Sequence, residues 1–509
     1  MTGSIFGRAL PIALALLVAG LMLSAYRDLP GRPFAADDYQ WLLNVRDLSP
    51  AELLRRAFDT GEQTHFYRPL VWLLLWAQVR LFGLDPAGFH AVSLALHAFN
   101  AALTAWLVWR LLAREWPPGA GRRLSLSLLA PALAFAFVAL HPAPFEAVVW
   151  ISAQSELLAA ALLLVALHLW LPPGPQAGDD GELRDGVQPA ERSGQPSSAG
   201  ALLRAAGATA ALTLALLAKE SAVIGIGLLF LAGLPRPSAA GRRAKLLPAV
   251  CCLLPLAVSA AYLALQADLI ARNTVVQSAG YGAGPQLLLN PLRTLGLIAA
   301  PLPGTQHGDN EWLPLVGALV ALAVAAAAVY DLRASARLWR AALALLLVLL
   351  PTAPFASPPD SRYTYLPVLA AAVLIGCGAS RLLGWRGAEA GRPLGRLLPA
   401  VALAAAALAL AWWSAGELGA REGYFAAASG PGGSLWRLAS AECAAALPSR
   451  IVVVDPPLAP PHAEAIIRLA CGPDVRPVVV GRDGAEDALR PGALLVSFPG
   501  GGAKVERRA

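Results

Sequence analysis

The sequence has few charged side chains, and that shortage excludes a soluble protein. Asp, Glu, Lys and Arg together make up 14% of its 509 residues, whereas soluble domains carry about 25%. Hydrophobic residues make up 57% of the chain, and Leu- and Ala-rich runs recur over roughly its first four-fifths. The composition therefore predicts an integral membrane protein with many spanning helices.

Cysteine and histidine are also scarce. The five cysteines and seven histidines show no spacing typical of a zinc site. Cys251, Cys252 and Cys377 lie in apolar runs, where they are expected to pack as small hydrophobic residues. Cys443 and Cys471 lie in a polar tail and are expected to pair if that tail is outside the cytoplasm. The net charge of +7 indicates basic cytoplasmic loops rather than nucleic-acid binding.

Eleven apolar runs are predicted to span the membrane. They cover approximately 8–26, 88–109, 124–140, 154–171, 201–217, 221–235, 247–267, 313–330, 341–352, 365–383 and 397–414. Two further apolar stretches, 69–82 and 287–302, are short and interrupted, so we expect re-entrant or interfacial helices within loops. If 69–82 crossed the bilayer, the side of every later loop would be reversed.

Basic residues in the connections predict the orientation, because cytoplasmic loops are enriched in Lys and Arg. Four basic connections are therefore expected in the cytoplasm: 110–123, 236–245, 331–340 and 381–396. The polar segment 172–200 is expected to be a disordered cytoplasmic linker. Five connections are then outside: 27–87, 141–153, 218–220, 268–312 and 353–364. The expected location is a bacterial inner (plasma) membrane, with the C-terminus outside the cytoplasm.

The chain changes character after its last apolar run, which divides it into a membrane domain, 1–414, and a tail, 415–509. Residues 434–447 predict a helix. Short strands are predicted by β-branched runs at 450–457, 476–481 and 492–498. The tail is thus expected to be a small α/β domain outside the membrane. Its "GPGGS" and "PGGG" segments are expected to be turns, and neither is a nucleotide-binding fingerprint.

Under this topology, the polar side chains that are unusual near helix ends lie on the outer side. They are Asp37, Asp38, Tyr39, His65, Tyr67, Arg68, His141, Glu146, Glu156, Lys219, Glu220, Arg362 and Tyr363. Charges close to the hydrocarbon cost about 2.5–3.5 kcal/mol or more, so they persist where they pair or bind a ligand. A carboxylate can take a proton from a hydroxyl nucleophile, and Arg or Lys can stabilise a departing phosphate. The set therefore suits transfer of a group from a lipid phosphate.

These residues also have a structural explanation. Asp37 and Asp38 would suit a helix cap or a solvated loop. Lys219 and Glu220 would form an ion pair at the tip of a tight helical hairpin. The arginines and tyrosines would anchor the chain at the membrane interface. The two explanations are distinguished by whether the side chains come together in space.

Several of these residues lie in an ordered set of motifs: "FAADDY", "YRPL", "HPAPFEAVVWIS", "AKES" and "SRYTYLP". This set resembles the GT-C glycosyltransferase superfamily over most of residues 1–380. It is similar to the membrane part of the transmembrane-and-TPR O-mannosyltransferases. More distantly, it is similar to protein O-mannosyltransferases and the lipid A aminoarabinose transferase. No 34-residue helical repeat follows the membrane part here.

The resemblance implies a GT-C-like fold of about 11 transmembrane helices and a polyprenyl-phosphate sugar donor. By position, Asp37 matches the first acid of the family motif, which is the usual general base, and Asp38 matches the second. Arg68 falls where related enzymes carry a basic residue near the donor phosphate. Three further residues match polar positions that line the same cavity: Glu146, Lys219 and Arg362. Together with the tail, the predicted fold class is an all-α polytopic membrane protein with a small C-terminal α/β extramembrane domain.

The predicted function is that of an inverting membrane glycosyltransferase, a hexosyl- or pentosyltransferase. It would move a monosaccharide from a polyprenyl-phosphate carrier to an extracytoplasmic protein, lipid or cell-envelope glycan. The expected partners are that lipid-linked sugar, an unidentified acceptor and membrane lipids. The sequence shows no recognisable cofactor site or set of metal ligands. The need for a divalent metal ion is left open, and its candidate ligands are His307, Asp309 and Glu311. The alternative is a non-catalytic transporter or scaffold that carries an outer α/β domain.

Overall fold

The structure is a computed structural model that describes most of the chain. The described residues are 13, 16–61, 66–113, 128–172, 198–233, 242–272, 281–302, 309–332, 337–389 and 393–508. Helices dominate, and a four-stranded sheet lies near the C-terminus.

The helices are numbered in chain order. They are α1 (16–25), α2 (Asp38–Val45), α3 (Pro50–Phe58), α4 (Pro69–Phe82), α5 (Pro86–Ala113), α6 (Leu129–Leu140), α7 (Phe145–Val149), α8 (Gln154–Trp170), α9 (Ser198–Ala218), α10 (Gly225–Gly233), α11 (Arg242–Arg272), α12 (Gln286–Ala299), α13 (Leu313–Leu332), α14 (Arg337–Leu349), α15 (Tyr365–Glu389), α16 (Pro393–Ala445), α17 (Pro460–Cys471) and α18 (Ala485–Ala488). The strands are β1 (Arg450–Val454), β2 (Arg476–Val480), β3 (Ala493–Ser497) and β4 (Lys504–Arg508).

Each of the eleven apolar runs coincides with a helix or with the described part of one. Their Leu, Ala and Val side chains form one large hydrophobic core, to which α1, α5, α6, α8, α9 and α15 contribute. Among the described residues, six helices are long and apolar enough to cross a membrane, and four other apolar helices are shorter. The protein is therefore a polytopic helical membrane protein, as its composition predicts.

The short apolar helix α4 lies in a second core, outside the first one. Its buried side chains pack with α2 and α3: Val71, Trp72, Leu75 and Val79. The same core contains residues of β1, β3 and α17 from the tail. The first loop and the tail therefore share one core, which we call the head, and α4 belongs to it, which suits the interfacial position expected for 69–82.

Side-chain contacts bring the five predicted outer connections to one end of the molecule. They join segments that are far apart in sequence: Arg68 to Glu220, Lys219 to Glu156, Arg362 to Glu146, and His141 to Ile298. Arg110, in the last turn of α5, donates hydrogen bonds to the carbonyl groups of Leu171 and Pro172 at the end of α8.

The tail ends in a compact α/β unit. Its sheet has the order β2-β1-β3-β4, with β1 parallel to both β2 and β3, and β4 antiparallel to β3. The three predicted strands are confirmed, whereas β4 was not predicted. Cys443 on α16 and Cys471 on α17 form a disulfide bond, and the three cysteines in apolar runs are free.

The long helix α16 differs from the prediction in two ways. It continues past 414/415, where the tail was expected to begin. The "GPGGS" segment, 430–434, is helical, so its prediction as a turn is wrong. A Cβ at Gly433 would lie 2.6 Å from the Pro33 side chain, and one at Gly432 would lie 3.2 Å from the Tyr39 ring. Glycine is needed there because the helix passes close to the first loop.

Candidate functional site

The two adjacent acids in the first loop have different surroundings. Asp38 begins α2 and is 2% exposed. Its Oδ2 accepts a hydrogen bond from the Ala35 amide at 2.8 Å, and its Oδ1 accepts from the Ser152 amide at 2.7 Å and from the Ser152 hydroxyl. Burial raises the pKa of Asp38 to about 7, although these hydrogen bonds each lower it. Asp38 therefore joins the first loop to the 141–153 connection.

Asp37 is the accessible member of the pair. Its side chain is 43% exposed, and its Oδ1 lies 3.7 Å from Nε2 of His462 on α17. Although Asp37 stands at the N-cap position of α2, its side chain makes no capping hydrogen bond. The preceding Ala36 has φ +46°, a left-handed conformation that costs a non-glycine residue about 1–2 kcal/mol. The tight backbone turn at Ala36 directs the two neighbouring carboxylates into different environments.

Arg68 and Glu220 form the first ion pair of a second polar group. Nε and Nη2 of Arg68 donate to the two carboxylate oxygens of Glu220 at 2.9 and 2.7 Å. This parallel, two-bond geometry is the strongest arrangement for an arginine and a carboxylate. The Arg68 guanidinium also lies 4.3 Å from the centre of the Phe66 ring. Arg68 is thus held in one orientation at the start of α4.

Lys219 and Glu156 form a second pair that is almost completely buried. Their side chains are 5% and 3% exposed, and Nζ of Lys219 contacts Oε1 of Glu156. The ammonium group also lies 5.3 Å from the centre of the Tyr363 ring. Buried ionic groups are stable only when paired in this way.

Arg362 completes the group. Its Nη1 lies 3.5 Å from Glu146, and its Nη2 lies 2.7 Å from Asp360. The guanidinium sits 4.9 Å from the Trp150 ring and 4.8 Å from the Tyr363 ring. We call these three cations and their four carboxylate partners, Glu146, Glu156, Glu220 and Asp360, the ion-pair cluster.

The 141–153 connection links the acidic pair to the ion-pair cluster. Ser152 binds Asp38, while Nε1 of Trp150 donates to the Ala35 carbonyl at 3.3 Å. The ring of Trp150 packs against Arg362. One short segment therefore contacts both a predicted acid and a predicted cation.

The acidic pair and the ion-pair cluster do not include the predicted residues Tyr39, Tyr67 and His141. Tyr39 is 1% exposed, and its hydroxyl has no hydrogen-bond partner among the described residues. The Tyr67 hydroxyl lies 3.5 Å from the Phe58 carbonyl. Nε2 of His141 donates to the Ile298 carbonyl at 3.0 Å, and Nδ1 accepts from the Ala143 amide, so both ring nitrogens are engaged. His65 lies outside the described residues.

No group of three or more His, Cys, Asp or Glu side chains that could hold a metal ion occurs in the described part of the chain. The weak candidate His307 is not within that part. Asp37 and His462 supply only two ligand atoms, and three hydrogen-bond donors already face Asp38. The acidic pair as described does not fit a metal centre.

Sequence reasoning missed His462 and two ion pairs of α16. Arg32 in the first loop forms a two-bond pair with Glu422. Arg421, 1% exposed, pairs with Glu417 and donates to the carbonyl groups at 301 and 302. The contacts of Arg32 with Glu422 and of Arg421 with the 301 and 302 carbonyl groups join residues 119 to 390 positions apart, so no local pattern could have revealed them, whereas Arg421 and Glu417 are four residues apart on one helix. His462 had one usable signal, because it follows a predicted strand at the start of a helix.

A cavity lies beside Asp37, where the tail meets the first loop. Its volume is 140 Å³. It is lined by Ala36, Tyr39, Ala428, Ser429, Gly432, Pro457, Leu458, His462 and Ile466. We call it the Asp37 cavity.

Structural comparison relates the fold to known membrane proteins. ArnT from Cupriavidus metallidurans, solved with undecaprenyl phosphate, is 16% identical over 97% of this chain and 93% of its own, with a TM-score of 0.46. The Archaeoglobus fulgidus oligosaccharyltransferase, solved with a tethered acceptor peptide, is 13% identical over 94% of this chain, with a TM-score of 0.50. Only 64% of that longer protein is covered.

A second structure of the Archaeoglobus fulgidus enzyme, AglB in complex with an inhibitory peptide and a dolichol-phosphate, is 12% identical with a TM-score of 0.48. No protein-family model and no curated protein matches the sequence. ArnT, the lipid A aminoarabinose transferase, and AglB are both GT-C membrane glycosyltransferases. At these identities the likeness concerns the fold, and the chain has the GT-C-like fold that its motifs predict.

Proposed function

We propose that the protein is a GT-C glycosyltransferase that moves a monosaccharide from a polyprenyl phosphate to an extracytoplasmic acceptor. The observation that carries the proposal is the separation of roles around the 141–153 connection. An accessible carboxylate lies on one side, and three cations lie on the other. The GT-C-like fold supports the proposal, because ArnT and AglB were solved with undecaprenyl phosphate and dolichol-phosphate.

In the proposed reaction, Asp37 accepts the proton of the acceptor hydroxyl. The hydroxyl oxygen forms a bond to the anomeric carbon as the bond from that carbon to the phosphate oxygen breaks. Arg68, Lys219 and Arg362 stabilise the charge that develops on the departing polyprenyl phosphate. Asp38 does not exchange a proton with substrate in this scheme; it positions Asp37 through Ala35 and Ser152.

The cluster contains one carboxylate more than it has cations, so the donor phosphate must displace a carboxylate to bind. Asp360 is the most exposed of the four, at 35%. We infer that the phosphate takes the place of Asp360 against Arg362, while Arg68 and Lys219 remain oriented by their buried partners.

The disulfide between Cys443 and Cys471 supports an extracytoplasmic tail, because such bonds persist in oxidising compartments. The tail and the acidic pair share the head. We therefore propose that the active site faces the outside of a bacterial inner membrane. The choice among protein, lipid and glycan acceptors is taken up below.

The test is release of polyprenyl phosphate from a panel of lipid-linked monosaccharides by the full-length protein. Asp37→Asn should abolish release while leaving the thermal unfolding midpoint unchanged. Asp28→Asn is the matched control, because Asp28 is an exposed acid of the same loop that forms an exposed ion pair with Arg27. Equal release by both variants would remove Asp37 as the base. A wild-type protein that releases nothing from any donor would favour a transporter or scaffold instead.

A further inference from the structure

The Asp37 cavity is too large for a water molecule or a single hydroxymethyl group. A water molecule needs about 10–15 Å³ of such space, and the cavity offers 140 Å³. This is about ten times the minimum for one water molecule. The cavity therefore has room for a ring-sized group, and a serine or threonine side chain would leave most of it empty.

Part of the cavity wall is formed by the tail, at the carboxyl end of a strand of its sheet. Domains with open parallel sheets bind ligands at this edge. β1 is the central strand, with parallel neighbours on both sides. Pro457 and Leu458 follow its carboxyl end, and His462 lies in the first turn of α17. Ligands of open parallel sheets bind outside the carboxyl ends of the strands, near helix N-termini. At this edge, His462 lies 3.7 Å from Asp37.

An unpartnered hydroxyl group points to a ligand in the cavity. The side chain of Tyr39 is 1% exposed, it lines the cavity, and its hydroxyl has no hydrogen-bond partner among the described residues. A buried polar group without a partner costs about 1–3 kcal/mol. A bound molecule with a hydroxyl group would remove that cost. The Ser429 hydroxyl, which donates to the Ala426 carbonyl at 3.2 Å, can still accept a hydrogen bond.

The lining also indicates the charge and shape of the ligand. It contains no Lys or Arg, in contrast to the ion-pair cluster, so it is poorly suited to a phosphate or carboxylate. Pro457, Leu458 and Ile466 offer apolar surface, whereas Tyr39, Ser429 and His462 offer polar atoms. A neutral ring with apolar faces and hydroxyl groups at its edge fits this mixture.

We propose that the Asp37 cavity binds a neutral pyranose ring of a glycan acceptor, and that the C-terminal domain supplies half of this subsite. Naming the ring as the acceptor rests on the proposed glycosyltransferase function. The binding of the ring does not, because it follows from the cavity alone. The Tyr39 hydroxyl donates to the ring, and His462 places the Asp37 carboxylate beside it.

Binding is tested with methyl hexopyranosides as probes, by ligand-detected NMR on the full-length protein in lipid nanodiscs, which lack sugar detergents. Wild-type protein should bind at least one glycoside with millimolar affinity. Tyr39→Phe removes only the unpartnered hydroxyl. It should weaken binding about tenfold, equivalent to about 1.4 kcal/mol, and the thermal midpoint should stay equal or rise.

Two glycine variants on α16 form a matched pair. A Cβ at Gly432 would lie 3.2 Å from the Tyr39 ring and 3.6 Å from Ile466, whereas a Cβ at Gly430 meets nothing within 4 Å. Both variants should gain the same helix stabilisation of about 0.5–1 kcal/mol. Gly432→Ala should weaken glycoside binding at least fivefold, and Gly430→Ala should bind as the wild type does.

Absence of glycoside binding to wild-type protein would overturn the proposal. Equal binding by wild type, Tyr39→Phe and Gly432→Ala would do the same. Preferential binding of an N-acetylated threonine amide would replace the glycan with a hydroxyamino-acid acceptor, and so would also refute it. Intact binding without polyprenyl phosphate release from any donor would instead reject the proposed function and leave the sugar subsite in place.

His462 has its own test as a positioning residue. In membranes that contain the natural acceptor, His462→Gln should lower kcat for polyprenyl phosphate release about tenfold, with little change in the KM for the donor. An unchanged kcat, or a thermal midpoint that falls together with kcat, would remove His462 from the site.

Discussion

The ion-pair cluster and the surroundings of the Asp37 cavity satisfy their polar groups in opposite ways. In the cluster, each cation has a carboxylate partner within the protein. At the cavity, the Tyr39 hydroxyl has no hydrogen-bond partner among the described residues, and the nearby Asp37 carboxylate is almost half exposed. The comparison suggests that the protein orients its donor-side charges in advance, whereas the acceptor completes the other side.

The largest expected effect comes from breaking the buried pair of Lys219 and Glu156. Lys219→Met leaves the Glu156 carboxylate buried without a counter-charge, which should cost about 3–5 kcal/mol of stability. The double variant Lys219→Met/Glu156→Gln should recover most of that loss but not the release of polyprenyl phosphate. Thermal unfolding of the three proteins provides the measurement.

The exposed pair of Arg27 and Asp28 is the control for this prediction, since the two side chains are 75% and 60% exposed. Arg27→Met should leave the unfolding midpoint unchanged. If Lys219→Met were equally harmless, the pair would not be a buried structural element, and the contrast between cluster and cavity would fail.

A second prediction separates the charge of Arg68 from the geometry of its contact with Glu220. Arg68→Lys retains one positive charge but cannot make the parallel two-bond contact with Glu220. Release of polyprenyl phosphate should fall about 10–100-fold, or about 1.4–2.7 kcal/mol in activation free energy. The thermal midpoint should change little. Full activity in Arg68→Lys would mean that only the charge matters at this position.

The smallest expected effect is the pH dependence of stability that arises from Asp38, which binds Ser152 in the 141–153 connection. The pKa of Asp38 is about 7 in the folded protein against 3.8 for the ordinary carboxyl group. Because its pKa is raised on folding, protonated Asp38 stabilises the folded protein. This stabilisation is complete below about pH 4 and is lost as the pH rises through 7. Its slope is at most about 1.4 kcal/mol per pH unit.

The measurement is the unfolding midpoint of wild type minus that of Asp38→Asn, from pH 4 to pH 8. Asn is always neutral, so the difference should decline with pH even if the variant is less stable at every pH. A flat difference, or one that rises with pH, would show that the three hydrogen bonds outweigh burial and hold Asp38 ionised.

Much of the fold was predictable because its signals are local. The apolar runs predicted the long helices of the membrane domain, and the loop arginines predict the side on which each connection lies. The ion-pair cluster followed partly from this, since Arg68, Lys219 and Arg362 are unusual next to the hydrocarbon. The sequence could also separate 69–82 from the spanning helices, because its apolar run is short.

What the sequence could not supply depends on long-range packing. Asp37 and Asp38 are adjacent and identical, yet one is almost half exposed and the other is buried against Ser152, a residue more than 100 positions away. The glycines at 430–434 have the sequence pattern of a turn. In the structure they are helical, and glycine is required because Pro33 and Tyr39 pack close to the helix. His462 reaches the acidic pair only because the tail folds back onto the first loop.

The continuity of α16 has a mechanical consequence. The helix carries the wall of the cavity at Gly432 on the same rod as the last spanning segment, about 27 Å beyond residue 414 at 1.5 Å per residue. A change of about five degrees in tilt moves the far end of such a lever by about 2 Å, and spanning helices adjust their tilt to bilayer thickness. We therefore expect the width of the Asp37 cavity to change with the thickness of the surrounding lipid.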